Sequence, residues 1–232
     1  MTTVSNAVEQ VRERIAAATA AAGRTDQVRL LLAVKTVDAP RIREALATGE
    51  TLIGHNRAQE LRAVEPELTE VAHESHFIGH LQSNKVNQVL AWADCVQSVD
   101  SLRLAERLDR AAANRGRDLD VLIQVNTSGE DTKAGTDPGA AAGLAAEVAA
   151  LEHLHLRGFM TIGANTADEA AVRASYTALA QIRDQVAGSG VPGTQRATEL
   201  SMGMSGDLEI AIAAGATMVR VGTGVFGARP AP

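Results

Sequence analysis

Residues 28–34 read VRLLLAV, and Lys35 follows them directly. A continuous aliphatic run is typical of a parallel strand that is buried on both faces, because such a strand has no solvent-facing side to carry polar residues. The next segment, PRIREALATG over residues 40–49, has a proline suited to the first turn of a helix and a glycine suited to its end. This stretch therefore predicts a β-α unit with a lysine at the carboxyl end of its strand.

The same alternation of strand and helix continues to the end of the chain. Seven further strand candidates follow the first, at residues 51–54, 75–79, 95–99, 119–126, 154–163, 197–203 and 216–222. Each strand but the last is followed by a helix candidate, and residues 5–22 predict an extra helix before the first strand. Alternating elements indicate an α/β fold with a parallel sheet. Eight units predict a single (β/α)8 TIM-type barrel with an extra N-terminal helix, and an open doubly wound sheet is the alternative.

Composition narrows the classes of partner. The 232 residues include 22 Lys+Arg and 28 Asp+Glu, and aromatic residues make up only 2%. An acidic chain with few stacking side chains is a poor nucleic-acid binder. No apolar run approaches the roughly 18 residues of a membrane span, and the N-terminal segment lacks the apolar core of a signal peptide. The single Cys95 fits a reducing compartment. We therefore expect one cytoplasmic domain over residues 1–232, without a membrane partner, and a monomer because a closed barrel has no open edge.

The carboxyl ends of the strands carry the polar residues that could do chemistry. In a (β/α)8 barrel these ends meet at one rim, where ligands bind. The residues that we expect at this rim include Lys35, Asn56, Lys133, Ser201, Arg220, Gly222 and Thr223. Lys35 is either a Schiff-base amine or a lysine whose head group reaches water.

Two further motifs have competing interpretations. Gly222, Gly224 and Gly227 match G-x-G-x-x-G, but a dinucleotide fingerprint must open a helix, and only five residues follow. A glycine-rich turn at this position predicts a phosphate site, and a tight terminal turn is the alternative. The segment HESHFIGH over residues 73–80 is one residue short of a zinc-protease motif and is predicted as loop and strand. We therefore expect structural histidines and no metal.

Several segments also point to a known family. They are AVKT (33–36), GHNRAQEL (54–61), HFIGHLQSNK (76–85), QSVDS (97–101), NTSGEDTKAG (126–135), LRGFMTI (156–162) and LSMGMSGDLEIAIAAGATMVRVGTGVFGAR (200–229). With these motifs the chain resembles, nearly end to end, the pyridoxal phosphate homeostasis protein family. These are single-domain binders of pyridoxal 5′-phosphate (PLP) that are similar to alanine racemase.

The resemblance implies a role for each rim residue. Lys35 would hold PLP as a Schiff base, and Arg220 would face the pyridine nitrogen. The phosphate would be held by Ser201, Gly222 and Thr223. Asn56 would lie beside the cofactor, and Lys133 would be a second lysine near the site. The family fold is a (β/α)8 barrel, in agreement with the strand count.

The chain departs from the family pattern at two places. The family usually shows AVSKT, and one residue is missing before Lys35. Because a one-residue slip turns side chains to the other face of a strand, we expect a bulge or a later strand start. The family also usually shows GEN followed by Tyr, where this chain has His55 and Arg57. Contacts made through those two side chains would change.

Function follows from the chemistry of the expected ring contact. An arginine cannot take up a proton at working pH, so a pyridine that faces Arg220 stays neutral and is a weak electron sink. Related racemases use a lysine and a tyrosine from a second domain, whereas the only tyrosine here, Tyr176, lies within a predicted outer helix. We therefore expect a non-enzymatic protein that buffers PLP or delivers it to PLP-dependent apo-enzymes, in vitamin B6 and amino-acid homeostasis. The alternatives are a weak PLP-dependent amino-acid racemase and a cofactor-free Schiff-base aldolase that uses Lys35.

Overall fold

Eight parallel strands close into a barrel in chain order. The structure is a computed structural model that describes residues 3–130 and 133–227, so part of the NTSGEDTKAG motif and residues 228–232 lie outside it. The strands are β1 (Arg29–Ala33), β2 (Leu52–His55), β3 (Glu74–Phe77), β4 (Cys95–Val99), β5 (Leu119–Gln124), β6 (Leu154–Met160), β7 (Glu199–Ser201) and β8 (Met218–Val221). Because β8 pairs with β1, the sheet is closed. The predicted barrel is confirmed and the open sheet is excluded.

Helices cover the outside of the barrel. They are α1 (Val4–Ala21), α2 (Ala39–Leu46), α3 (Ala58–Val64), α4 (Val86–Val89), α5 (Leu102–Ala113), α6 (Ala141–Ala149), α7 (Glu169–Ala187), α8 (Leu208–Ala213) and α9 (Thr223–Phe226). The prediction that no helix follows the last strand was wrong, because the glycine-rich turn after β8 winds into the single turn α9. Within the described ranges, no helix is both long and apolar enough to cross a membrane.

The alternation of side chains in β1 decides where Lys35 points. Leu31 packs inside the barrel with Leu52 of β2 and Met218 of β8, and Ala33 packs against this cluster. Leu32 belongs instead to the larger core beneath the helices. Since successive side chains alternate between the two faces, Lys35 follows Leu31 and Ala33 on the inward side.

The residue that is missing before Lys35 is accommodated without a bulge. Pairing of β1 with β2 runs without interruption from Leu31 to Ala33, and the strand then ends. The Val37 N–H donates a 3.1 Å hydrogen bond to the Val34 carbonyl, which closes a tight turn around Lys35 and Thr36. Thr36 adopts φ 59°, the only positive φ of a non-glycine residue in the described part of the chain. The expectation of a bulge was therefore wrong, and the expectation of a later strand start stays a prediction; the strand is followed directly by a turn with a strained backbone at Thr36.

Candidate functional site

A cavity of about 460 Å³ opens at the carboxyl ends of the strands. Five of the seven predicted rim residues line it, namely Lys35, Asn56, Arg220, Gly222 and Thr223. Arg41 of α2 and Ser205, from the loop between β7 and α8, also contribute to its wall. Three of the lining side chains are cationic, and among the residues that the structure describes none of the lining side chains is acidic. The cavity is therefore suited to an anionic ligand.

Arg220 is a buried cation in this wall. It follows Met218 on the inward face of β8, and only 6% of its surface is exposed. Its Nη1 donates to the Ser201 hydroxyl at 2.8 Å and its Nη2 to the Thr161 carbonyl at 2.7 Å. Burial lowers the pKa of Arg220 to about 10, against the opposing effect of Tyr176 and Asp207. The guanidinium still carries its charge at neutral pH, so it can donate to a ligand but cannot accept a proton.

Ser201 lies below the cavity and does not line it. Its side chain is fully buried, and its hydroxyl accepts from Arg220 and donates to Gln97 Oε1 at 2.6 Å. Ser205 occupies the rim instead, because its Oγ accepts from the Thr223 hydroxyl and from the Gly224 N–H, both at 3.2 Å. The sequence reasoning missed Ser205, although it belongs to the same SMGMSG segment as Ser201.

Lys133 is also held away from the cavity wall. Its Nζ donates to the Gly163 carbonyl at 2.8 Å and lies 2.7 Å from the Glu130 carboxylate. These contacts join the loop after β5 to the loop after β6. The resemblance placed Lys133 near the site, and the structure gives it a loop-bridging position outside the cavity lining.

Asn56 is fixed by a glycine of the neighbouring loop. Gly79, just after β3, packs so closely on the Asn56 backbone carbonyl that any Cβ at position 79 would overlap it. Only glycine fits such a close approach of two backbones. Gly79 within HFIGH is the sequence signal for this contact, and we did not single it out from the sequence.

The two residues that differ from the family pattern, His55 and Arg57, lie outside the cavity lining. His55 turns outward from β2, and its Nε2 lies 2.8 Å from Glu65 Oε1. His73 Nε2 lies 3.0 Å from the other oxygen of Glu65, and the Ser75 hydroxyl also donates to Glu65. Burial raises the pKa of Glu65, but the hydrogen bonds from His55, His73 and Ser75 together lower it to about 2. Arg57 is exposed and pairs with Glu60 at 4.0 Å.

The histidines of HESHFIGH separate in the fold. His73 bonds to Glu65, His76 lies inside the barrel 2.7 Å from Gln97 Nε2, and His80 is largely exposed near Asp100. Among the described residues, no group of three His, Cys, Asp or Glu side chains is arranged to hold a metal ion.

Tyr176 of α7 reaches further inward than the sequence predicted. It is fully buried, and its hydroxyl donates to Asp207 Oδ2 at 2.8 Å, beneath the loop after β7. Burial and the neighbouring Asp207 carboxylate raise the pKa of Tyr176 well above its usual value. Tyr176 therefore reaches from the outer helix α7 to the loop after β7, although it does not line the cavity.

The barrel and its lysine- and arginine-lined cavity agree with a match to a family model, which gives the class of protein. The family described as alanine racemase, N-terminal domain, matches residues 7–230. The pyridoxal phosphate homeostasis protein of Pseudomonas aeruginosa is 41% identical over 230 residues, covering 99% of this chain and 97% of that protein. The protein of the same name from Escherichia coli K12 is 41% identical over 234 residues, covering 99% and 98% of the two chains. The chain belongs to the pyridoxal phosphate homeostasis protein family.

Solved structures agree with this placement. PipY of Synechococcus elongatus, solved with PLP bound, superposes with a TM-score of 0.82 at 34% identity, covering 97% of this chain and all of PipY. A protein of unknown function from Bifidobacterium adolescentis gives a TM-score of 0.93 at 44% identity, covering 97% of this chain and 94% of that one. An alanine racemase of Clostridium difficile 630 gives 0.69 at 16% identity over 94% of this chain and 56% of its own, which shows a shared fold.

Proposed function

We propose that this chain binds PLP in the cavity and attaches it through the Lys35 amine. The observation that carries the proposal is that Lys35 and the buried cation Arg220 share one cavity wall without an acidic residue among its described lining. The Lys35 amine would condense with the aldehyde of PLP, forming a C=N bond and releasing one water molecule. The names of the relatives and the PLP-bound structure of PipY support the choice of ligand.

The residues present fit the two ends of PLP. The hydroxyls of Ser205 and Thr223, with the backbone of Gly222, provide a neutral hydrogen-bonding rim for the phosphate. Arg220 is the candidate contact for the ring nitrogen, and Asn56 lies in the wall between β2 and α3. Ser201, expected at the phosphate, would act through Arg220 instead, and Lys133 would stay outside the direct contacts.

These residues favour storage of PLP over catalysis. PLP supplies an electron sink whose strength depends on protonation of its ring nitrogen. Arg220 keeps its proton at neutral pH. It would donate a hydrogen bond to the ring nitrogen without transferring the proton, so that nitrogen would stay unprotonated. Tyr176 is engaged with Asp207 and stays protonated, so it offers no second base to a racemase reaction. A weak PLP-dependent racemase remains the second candidate, favoured only by the shared fold.

We further propose the setting in which this binding operates. Residues 1–232 would form one PLP-binding domain that works as a cytoplasmic monomer. It would buffer PLP or deliver it to PLP-dependent apo-enzymes, and so contribute to vitamin B6 and amino-acid homeostasis. Within residues 3–130 and 133–227 the barrel closes in chain order and leaves no strand edge unpaired, which supports the monomer.

The test uses the low lysine content of the chain. The sequence contains three lysines, Lys35, Lys85 and Lys133, so borohydride reduction of the PLP adduct followed by peptide mass mapping gives an unambiguous answer. We expect the label on Lys35, loss of the visible PLP–lysine band in Lys35→Ala, and retention of the band in Lys85→Ala. Labelling of Lys133 or Lys85 alone would refute the assignment. Incubation of the loaded protein with L-alanine should leave its stereochemistry unchanged, whereas racemisation would support the second candidate.

A further inference from the structure

A series of polar side chains runs through the interior of the barrel, from Arg220 near the carboxyl ends of the strands to the amino end of β3. Ser201, below Arg220, donates to Gln97 Oε1 at 2.6 Å, and Gln97 Nε2 lies 2.7 Å from His76 Nδ1. His76 Nε2 in turn lies 3.5 Å from a Glu74 carboxylate oxygen at the amino end of β3. We name Glu74, His76, Gln97 and Ser201 the polar column. It links the wall of the cavity to solvent at the far end of the barrel.

Burial of the polar column costs free energy. Ser201 and Gln97 are fully buried and His76 is 3% exposed. The nearby interior residues Leu31, Leu52 and Met218 are apolar. Polar groups in such a place cost free energy unless each one is hydrogen-bonded, and aliphatic residues would fill the space at lower cost. The column satisfies its members through one another, which indicates a role that a purely aliphatic interior could not fill.

The hydrogen bonds of the column run in one direction. Gln97 Nε2 lies 2.7 Å from His76 Nδ1 and 3.2 Å from Met218 Sδ, so each of the two amide hydrogens of Gln97 has an acceptor. The amide oxygen Oε1 of Gln97 faces Ser201. The Ser201 proton is therefore committed to Gln97, and its lone pairs are left for Arg220. On the other side, His76 Nδ1 accepts, which places the ring proton on Nε2 facing Glu74.

We propose that the polar column positions the Arg220 guanidinium for its ligand, with Gln97 and His76 as positioning residues that touch no ligand themselves. Ser201 and the Thr161 carbonyl each take one N–H of Arg220, which fixes the plane of the guanidinium and leaves its other donors for the cavity. The inference rests on the proposed function in one respect, namely that Arg220 contacts the ring of PLP in the cavity. The orientation of Arg220 itself does not depend on PLP.

The test compares two buried glutamines. Gln97→Met removes the two hydrogen bonds that Gln97 makes within the column, to Ser201 and to His76. Gln124→Met removes a glutamine of β5 whose Nε2 bonds to the Ala134 carbonyl, outside the column. In the PLP-free full chain, nitrogen-15 NMR of arginine side chains should show fast guanidinium rotation and proton exchange at Arg220 in Gln97→Met and not in Gln124→Met. With PLP added, Gln97→Met should raise the Kd about tenfold, the scale of one hydrogen bond to a charged group, and shift the visible band.

Conservative changes protect the test against simple loss of structure. Ser201→Ala deletes one hydroxyl and should mobilise Arg220 as Gln97→Met does. Asn at position 76 keeps an acceptor near Nδ1, so His76→Asn should retain an ordered Arg220, whereas His76→Leu should not. Unchanged Arg220 signals in folded Gln97→Met and Ser201→Ala would overturn the inference. A mobilised Arg220 with an unchanged PLP band would support the column and count against the proposed ring contact.

Discussion

The Tyr176 hydroxyl donates a 2.8 Å hydrogen bond to Asp207 Oδ2. The other oxygen of Asp207 accepts from the Met204 N–H at 2.6 Å, so the carboxylate joins α7 to the loop after β7. Met204, Ser205 and Gly206 of this loop line the cavity. Tyr176 therefore acts on the site from below, by fixing the loop that forms one side of the cavity.

Replacement of Tyr176 by phenylalanine should loosen this loop. We expect Tyr176→Phe to raise the Kd for PLP about fivefold, because a typical buried hydrogen bond contributes about 1 kcal/mol. Any residual racemisation of alanine should not change, since the raised pKa keeps the phenol protonated and unable to act as a base. Fluorescence titration and chiral chromatography measure the two effects. Loss of racemisation with an unchanged Kd would identify Tyr176 as a catalytic base and contradict this account.

The two serines of the SMGMSG segment should respond differently to the phosphate of the ligand. Ser205 shares the rim with Thr223, whereas Ser201 bonds to Arg220 below it. Ser205→Ala should weaken PLP binding about tenfold and leave binding of pyridoxal, which lacks the phosphate, unchanged. Ser201→Ala should weaken both ligands alike. Isothermal titration of both ligands measures this, and equal losses for Ser205→Ala would remove Ser205 from the phosphate rim.

The periodicity of the chain was sufficient to predict the barrel and the rim positions of Lys35 and Arg220. Lys35 lies two residues past the end of β1 and Arg220 one residue before the end of β8, so the lengths of these strands place both residues near the rim. Ser201 and Lys133 were expected at the same rim, yet neither lines the cavity. Ser201 is held inside the barrel by Arg220 and Gln97. Lys133 is held by Gly163 and Glu130. Ser201 is the last residue of β7, and its side chain lies inside the barrel below the cavity. Ser205 follows in the loop after β7, and its hydroxyl lies at the rim. Strand periodicity does not predict which loop residue reaches the rim.

The turn that presents Lys35 is strained. Thr36, a β-branched residue, adopts φ 59°, which costs about 1–2 kcal/mol for a side chain of this shape. Thr36→Gly should raise the free energy of unfolding by about 0.5 kcal/mol, because relief of strain exceeds the extra entropy of glycine in the unfolded chain. Urea unfolding measures this, and Thr36→Val should give no gain since it keeps the strain. A destabilised Thr36→Gly would show that the threonine side chain stabilises the turn.

The buried Glu65 cluster makes stability depend on pH from two sides. The pKa of Glu65 falls from 4.5 to about 2 on folding, so its stabilising effect is full above pH 4.5 and is lost as the pH falls toward 2. The pKa of His73 is raised above 6.5 by its hydrogen bond to Glu65, against the opposing effect of burial. Its contribution is therefore full below pH 6.5 and is lost as the pH rises through the folded value. The cluster should stabilise the fold most between about pH 4.5 and 6.5.

Replacement of Glu65 by glutamine tests this dependence. Glu65→Gln keeps the shape but removes the charge that His55, His73 and Ser75 share, and we expect it to cost about 2 kcal/mol in that pH window. The cost should shrink at lower pH, where the wild-type carboxylate takes up a proton, and also at higher pH, where His73 loses its own. Urea unfolding from pH 3 to 9 measures the difference, with the exposed neighbour Glu67→Gln as the control. A cost near zero across this range would mean that shape, and not charge, holds the cluster together, and a large cost that did not change with pH would contradict the pH dependence.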